Sequence, residues 1–551
     1  MTHPIRMSAD LLIHSAKIWS NGAMLAHTTL VADGGHIVSL GGDELRESYA
    51  ASRVIDAGGG LVTSSFVDAH VHPTMGGIES QRCDLTGCAN AEEVYAKIAQ
   101  YADAHPDLPW ILGGGWRMPY FPGGTPRRED LDRIVPDRPV FLINTDHHGA
   151  WANSRALELA GITSDTPDPS DGRIERDADG SPSGTLQEGA AELLDAVLPE
   201  TTVAEIRAGM LAGEQVLFGF GITGWEEAIL GSFAGYRDFT PVYRELLDEG
   251  LLQGRVSGAL WVSRDFDGMT IPEFVADLER RRDLYARPGL RLDTAKIMVD
   301  GVAENETALM EEPYQAECSC TGGRGLAYFK REQLLELVPL LNARGITAHF
   351  HAIGDRAVRY ALDAVEAVPA ADRARVRNHI AHLQVINPDD LPRFRELGVT
   401  ANLQPLWACL DDQMTTMTLP LMGEQRSQWQ YLFRSLERSG AALVCGSDWP
   451  VSSPDPWQGM HVAVNRRAPG HTSVDALLPE EALSLASVLD AYTRGSHELL
   501  GMPGGQIEVG GVCDVAVADR DPFAADPAEI HLTRNRVTVL AGTIVFEADG
   551  N

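Results

Sequence analysis

Apolar runs of strand length take turns with stretches of helical period through the middle of the chain. In order the runs are SSFVDAHVHP, FGITGWEEA, RVSGALWV, DTAKIMVDG, GITAHFHAIGD, RNHIAHLQ, GVTANLQP and AALVCGSDWP. The helical stretches include AEEVYAKIAQYADAH, REQLLELVPLLNARG, DDLPRFRELG and SLASVLDAYTRGSHELLG. Such alternation predicts an α/β fold with a parallel sheet, because each strand must return through a crossover. Eight parallel strands are the number that closes a TIM-like (β/α)8 barrel, here expected over residues 65–500.

The ends of the chain read differently. Residues 1–64 hold short β segments (DLLIHSAKIW, HTTLVADGGHIVSL, SRVIDAGGGLVTS) with too few residues for a large core of their own. Matching segments return in 501–551, as IEVGGVCDVAVAD and NRVTVLAGTIVFEADG, so the two termini are expected to join in one small β domain. Residues 81–190, between the first two barrel strands, are too long for a simple crossover and are expected to form an insertion that caps the active site.

In a barrel of this kind the chemistry sits at the C-terminal strand ends. Those ends carry His70 and His72 on the first strand, Lys296 on the fourth, His349 and His351 on the fifth, His382 on the sixth and Asp448 on the eighth. His70 and His72 share a strand face about 6.6 Å apart along the chain, close enough for both imidazoles to reach one Zn2+ at about 2.0–2.1 Å. Lys296 lies in the apolar Ala295-Lys296-Ile297-Met298-Val299, where a protonated amine beside a metal would be repelled and costly to desolvate. A neutral amine there can take up carbon dioxide, giving a carboxylated lysine that bridges two metals. Asp448, ending a strand at a turn, is placed to take a proton from a metal-activated water and pass it to a leaving nitrogen. The competing readings are histidines bonded within a core, a lysine paired with Asp300 or Glu304, and an Asp448 that caps a helix. By parity His349 shares the face of His351, whereas His379, three before His382, points to the opposite face; both are left out of the metal shell.

FVDAHVHP, AKIMVDG, HFHAIGD, IAHLQ and GSDWP, in this order, resemble the amidohydrolase superfamily, and GGGWRMPYFPGG, PDRPVFLINTDHHGAWANSRALELAGI and GSPSGTLQEGA resemble its family 3, which includes N-substituted formamide deformylases. The resemblance implies a barrel with a flanking β-sandwich and a centre of one or two metals held by His70, His72, Lys296, His351, His382 and Asp448. It also places a histidine where His148 stands, which would polarise the substrate carbonyl or brace its loop. Two turns depart from the pattern: Ser64-Ser65-Phe66 replaces the usual Pro-Gly before the first strand, and Gly511-Val512-Cys513-Asp514 replaces the usual Lys-Ala-Asp. Softer candidates facing the substrate are Glu226, Glu227 and Gln404 at strand ends. Trp116, Tyr120, Phe121, Trp151, Trp225, Trp407 and Trp449 are read as loop aromatics near the barrel mouth, suggesting a small-molecule substrate with an apolar or aromatic group.

The function expected is hydrolysis of a C–N bond (amide, N-substituted formamide or carbamate) by a metal-activated hydroxide with an Asp proton shuttle. The alternatives are an ester or lactone hydrolase or a decarboxylase on the same site, or a noncatalytic binding or regulatory homologue. The His-rich ligand set favours zinc, with Mn, Fe or Co also accepted by such sites. The net charge of -33 repels phosphate backbones and anionic bilayers, so neither nucleic acid nor membrane is an expected partner; a homodimer is allowed but not demanded. Seven cysteines without paired CxxC spacing, an N-terminus without an apolar signal core and no long apolar segment point to a cytoplasmic protein. Cys318-Ser319-Cys320 is read as loop rather than metal site.

Overall fold

All eight apolar runs become strands of one parallel sheet in the computed structural model, which describes residues 6–233, 235–315 and 323–548. They are β1 (Phe66–Val71), β2 (Ile222–Leu230), β3 (Arg255–Trp261), β4 (Leu290–Met298), β5 (Thr347–Ala352), β6 (His379–His382), β7 (Thr400–Leu403) and β8 (Ala442–Cys445). Neighbours in the sheet are neighbours in sequence, and every ladder is parallel. The strands are almost wholly buried because helices cover the outside while side chains fill the inside, which is why each reads as a near-continuous apolar run.

The barrel closes between β1 and β8 without a regular ladder. Backbone bonds run from Asp448 N–H to the His70 carbonyl at 2.7 Å and from His72 N–H to the Trp449 carbonyl at 2.8 Å. The Asp68 carboxylate accepts from Ser447 N–H at 3.0 Å and His70 N–H at 3.1 Å, joining the two edge strands. From β7, Asn402 donates to the Ala69 carbonyl at 2.8 Å.

The expected helices form at Ala91–Ala104, Arg331–Ala343 and Leu391–Leu397, while the stretch from Leu485 to Leu500 is interrupted by a π-turn at Ala491–Gly495. Directly after the first strand, α1 (Pro73–Glu79) lies against α2 (Val203–Gly219), the helix that leads into β2. Their backbones meet at glycine: a Cβ on Gly77 would overlap the Gly209 carbonyl, and one on Gly213 would overlap the Pro73 carbonyl.

Residues 81–190 are more ordered than a loop-rich cap. They build a mixed six-stranded sheet, in the order Gly172–Arg176, Pro182–Glu188, Gly149–Ala152, Val140–Asn144, Ile111–Trp116 and Cys83–Asp84. Two apolar clusters of its own support it, one around Val94, Ile98, Trp116 and Trp151, the other around Leu157, Ile174, Leu186 and Leu194. The termini form two further sheets. Met7–His14, Thr29–Asp33, His36–Gly41 and Tyr49–Asp56 make a four-stranded one; Lys17–Ser20, Ala23–Met24 and Leu61–Ser64 join Val515–Ala518, Asn535–Leu540 and Thr543–Glu547 in a six-stranded one. Leu11, Ile18, Val62, Val515 and Val539 pack into a single core between them.

Among the described residues no helix is long and apolar enough to cross a membrane, and Cys83, Cys88, Cys409, Cys445 and Cys513 are free thiols. Cys318 and Cys320 lie outside the described residues.

The close approach of α1 and α2 gives a stability prediction. Gly213→Ala should destabilise the protein by about 2 kcal/mol or more through overpacking against backbone. Gly219→Ala, at the end of the same helix with only the Phe546 ring 3.7 Å away, should change it by less than about 0.5 kcal/mol. Urea midpoints of the two variants provide the comparison.

Candidate metal centre

At the C-terminal mouth of the barrel the strand ends converge on a cavity of about 520 Å³, and His70, His72, Lys296, His351, His382 and Asp448 all line it. Asp448 Oδ1 stands 3.2 Å from Nε2 of His70 and 3.2 Å from Nε2 of His72. Lys296 Nζ is 3.3 Å from the same His70 nitrogen. The ring of His382 lies 4.8 Å from that of His70 and 4.5 Å from that of His351. Donor atoms of His70, His382 and Asp448 fall within 4.8 Å of one another, as a single cation requires.

Electrostatics favour the ligand forms of these groups. Burial, followed by the charge of Lys296, pushes His70 well below the ordinary imidazole value. Burial depresses His351 and His382 likewise, which leaves neutral rings with a lone pair to give. Burial opposes ionisation of Asp448, yet its bond to His72 and its place among the His382 and His72 imidazoles and the Lys296 amine hold the carboxyl at about 2. Burial also brings the Lys296 amine down to about 8 against the opposing pull of Asp448 and Glu226. Nδ1 of His72, His351 and His382 are buried without a hydrogen-bond partner. Imidazole, carboxylate and amine at mutual distances near 3 Å in a dry pocket are the donor set a divalent cation satisfies, so these residues fit a metal.

Two of the competing assignments, for Lys296 and for Asp448, do not occur among the described residues. Asp300 receives backbone N–H groups from Leu309, Ile353 and Gly354 at 2.8–3.0 Å, and Glu304 accepts from Thr418, so neither pairs with Lys296. Asp448 caps no helix; its backbone adopts φ 57°, held there by the bond to His70.

His148 enters from the insertion. It sits beside the strand Gly149–Ala152, its ring 5.6 Å from that of His351, with Nδ1 2.8 Å from Glu188 Oε2. Glu188 Oε1 accepts from Thr307 Oγ1 at 2.6 Å. Burial disfavours charging His148, but Glu188 outweighs it and raises the imidazole to about 9. Burial likewise works against Glu188, and His148 with its other donors brings that carboxyl down to about 2. The ring therefore faces the cavity as a cation.

Several expected positions are corrected. Glu226, Glu227 and Gln404 do not line the cavity. Glu226 is buried between His349 and His379, Glu227 accepts from Thr74 and Tyr243, and Gln404 accepts from His382 N–H at 2.7 Å. His379 points into the barrel rather than away from it. The positive φ of His382 (77°) and Leu383 (48°) breaks the strand's alternation, so residues three apart reach the same side.

Most of the aromatics also pack rather than face substrate. Trp116, Phe121 and Trp151 fill the core of the insertion, and Tyr120 packs against it. Trp225 is buried in the barrel's main core and Trp449 covers Gly76. Of the seven, Trp407 alone lines the cavity, stacked on His382 at 5.2 Å and 2°. Sequence reading missed Glu188, although Gln187-Glu188-Gly189 lies in a motif segment, and offered Asp300 only as a partner for Lys296. Asp300 Oδ1 stands 3.2 Å behind Nδ1 of His351.

A parallel barrel with such a donor set at its mouth defines a metal-dependent hydrolase of the amidohydrolase superfamily. The amidohydrolase family profile matches residues 53–546, and the chain belongs to this family, in its branch 3. YtcJ of Bacillus subtilis strain 168 is 27% identical over 512 residues, covering 92% of this chain and 93% of its own. The N-substituted formamide deformylase of Arthrobacter pascens is 26% identical over 574 residues, covering 98% and 99%. The crystal structure of a metal-dependent hydrolase from Pyrococcus furiosus superimposes with a TM-score of 0.68 at 26% identity, over 93% of this chain and 99% of that one.

The His148–Glu188 pair makes stability depend on pH. A histidine raised from 6.5 to about 9 binds its proton more tightly when folded, so its contribution is complete below pH 6.5 and lost as pH rises through 9. The loss amounts to about 3 kcal/mol at most. In metal-free Glu188→Gln this decline should flatten, as read from urea midpoints at pH 6 and above pH 9.

Proposed function

We propose that the protein hydrolyses a C–N bond in an amide, N-substituted formamide or carbamate, with zinc as the metal and Mn, Fe or Co as workable replacements. The observation that carries this reading is the Asp448 carboxylate, 3.2 Å from both His70 and His72 and facing a cavity that His148 also lines. The N-substituted formamide deformylase among the relatives, matching this chain along nearly its whole length, supports the bond type.

His70, His72, Lys296, His351, His382 and Asp448 would hold the metal or metals. When bound, the metal polarises the carbonyl and lowers the pKa of water from 15.7 to about 7. The chain's own residues do the rest. Asp448, ionised, accepts the proton of the attacking water and returns it to the leaving nitrogen, so that amine and acid depart with the proton count unchanged. His148 donates to the oxygen on which negative charge grows, an interaction stronger in the transition state than in the ground state. Lys296, whose amine is brought toward neutrality, is placed to add its nitrogen to carbon dioxide, releasing one proton and becoming a carbamate anion.

Phe141, Ile143, Phe233, Met298, Leu406 and Trp407 line the cavity above the donor cluster and suit an apolar or aromatic substituent on the substrate. The free thiols among the described residues support a cytoplasmic setting.

The test is amine and formate release from a panel of N-substituted formamides, amides and carbamates, before chelation, after it and after Zn2+ return. Activity should vanish with chelation and recover with metal. Asp448→Asn should lower kcat by roughly 100- to 10,000-fold while the fold persists. Turnover that survives in Asp448→Asn removes the proton-transfer role; a metal-loaded protein inert to the whole panel removes the C–N assignment. Intact mass under nondenaturing conditions reads the carbon dioxide adduct on Lys296.

A further inference from the structure

Beneath the donor cluster, on the barrel axis, Glu226, His349 and His379 form a second group that the reaction as described does not use. Glu226 and His349 are fully buried and His379 is 1% exposed. A carboxylate in so dry a place is costly unless donors satisfy it. Glu226 Oε1 accepts from Ser257 Oγ at 3.2 Å. Its Oε2 is 3.1 Å from His349 Nδ1 and 3.1 Å from His379 Nε2, close charge contacts that are not aligned as regular hydrogen bonds, and none of these three atoms has a regular bond to any other group. The other nitrogen of His349 reaches out of the group: Nε2 lies 2.9 Å from Nδ1 of His70.

These distances leave one consistent arrangement of protons once His70 gives its Nε2 lone pair to a metal. A neutral imidazole carries one proton, so a ring that ligates through Nε2 holds its proton on Nδ1. His70 Nδ1–H must then donate to His349 Nε2, which acts as acceptor. His349 consequently bears its proton on Nδ1, the atom facing Glu226, and an anionic oxygen is the partner that stabilises a proton there. The opposite arrangement would put the His70 proton on Nε2, against Lys296 at 3.3 Å and in place of the metal.

The geometry points to Glu226 and His349 as positioning residues that, in series, fix the tautomer of His70 and so present its Nε2 to the metal. This rests on the reading of His70 as a ligand. Outer partners of metal-bound histidine work this way, but here the carboxylate acts through an intervening imidazole and from the barrel floor, two side chains away from the metal. The same order of protons forbids Nδ1 of His349 from ligating a cation while His70 does, so the three-residue group serves the upper site instead of forming one of its own.

The experiment measures Zn2+ affinity by chelator competition and the visible spectrum of the Co2+-loaded protein, in Glu226→Gln, His349→Leu and His349→Gln, with His70→Ala as control. Glu226→Gln and His349→Leu should weaken Zn2+ binding by roughly 10- to 100-fold and shift the Co2+ bands. His349→Gln, whose amide oxygen can accept where Nε2 stood, should recover most of that loss. Equal losses in the Leu and Gln variants would show a packing role and overturn the proposal. So would wild-type affinity in Glu226→Gln, which keeps the shape of the side chain and remains informative if His349→Leu does not fold. Loss of a whole metal equivalent in Glu226→Gln, with the remaining affinity unaltered, would mean the group is itself a cation site. His70→Ala with unchanged metal content and affinity would instead defeat the ligand reading of His70.

Discussion

Barrel closure and site assembly are one interaction. Seven of the eight joints between strands are backbone ladders, and the eighth, between β8 and β1, is made from Asp68, Ser447, Asp448 and the backbone of His70 and His72. A sheet that failed to close here would leave two unpaired edges inside a buried core. The residues that prevent this are those flanking or forming the donor set. Gly446 lets β8 press against the backbone of His70, where a side chain would collide, and Asp448 in the left-handed region turns its carboxylate toward the histidines. The closure contacts between the two edge strands therefore also fix the positions of His70, His72 and Asp448.

Around the cavity the histidines are backed by carboxylates. Asp300 stands behind His351, Glu226 behind His349 and Glu188 behind His148, each within 3.2 Å. Every one of these acids is buried, and none sits there unsupported: Asp300 draws three backbone N–H groups from the loops after β4 and β5, and Glu188 takes the hydroxyl of Thr307. The pairs differ in outcome because their surroundings differ. Glu188 meets one imidazole in the cavity wall and raises it to about 9, while burial dominates at His351 and keeps that ring neutral. A single pairing motif thus yields a cation in the cavity wall at His148 and a lone pair at His351, where a metal would bind.

The barrel was readable because a parallel strand covered on both faces must be apolar throughout, and because His70 near the end of β1 and His72 just past it both line the cavity. Parity failed at β6, where positive φ at His382 and Leu383 turns the chain and brings His379 inward; no local residue pattern signals that. The roles of Asp300 and Glu188 were hidden for another reason, since they come from partners 51 and 40 residues away that only folding brings close. The aromatic residues misled because large rings are as useful to a core as to a substrate: the insertion spends Trp116 and Trp151 on its own cluster, and Trp407 reaches the cavity from the barrel side. Its six-stranded sheet was obscured by the glycines and prolines of its turns.

That sheet positions one wall of the site, which the loop after β4 then ties to the barrel through Thr307 and Asn305. His148 directly precedes the strand Gly149–Ala152 and Glu188 ends the antiparallel strand beside it, in which Gln187 pairs with Gly149, and Glu188 N–H donates to the His148 carbonyl at 2.8 Å. Their 2.8 Å contact is thus fixed by a ladder within the insertion, and no barrel strand takes part in it. Phe141 and Ile143, from the next strand of the same sheet, supply apolar wall beside it. The metal-facing donors, by contrast, hang on barrel strands and on the closure between β1 and β8. The apolar wall is therefore shared, with Phe141 and Ile143 coming from the insertion and Met298, Leu406 and Trp407 from the barrel side.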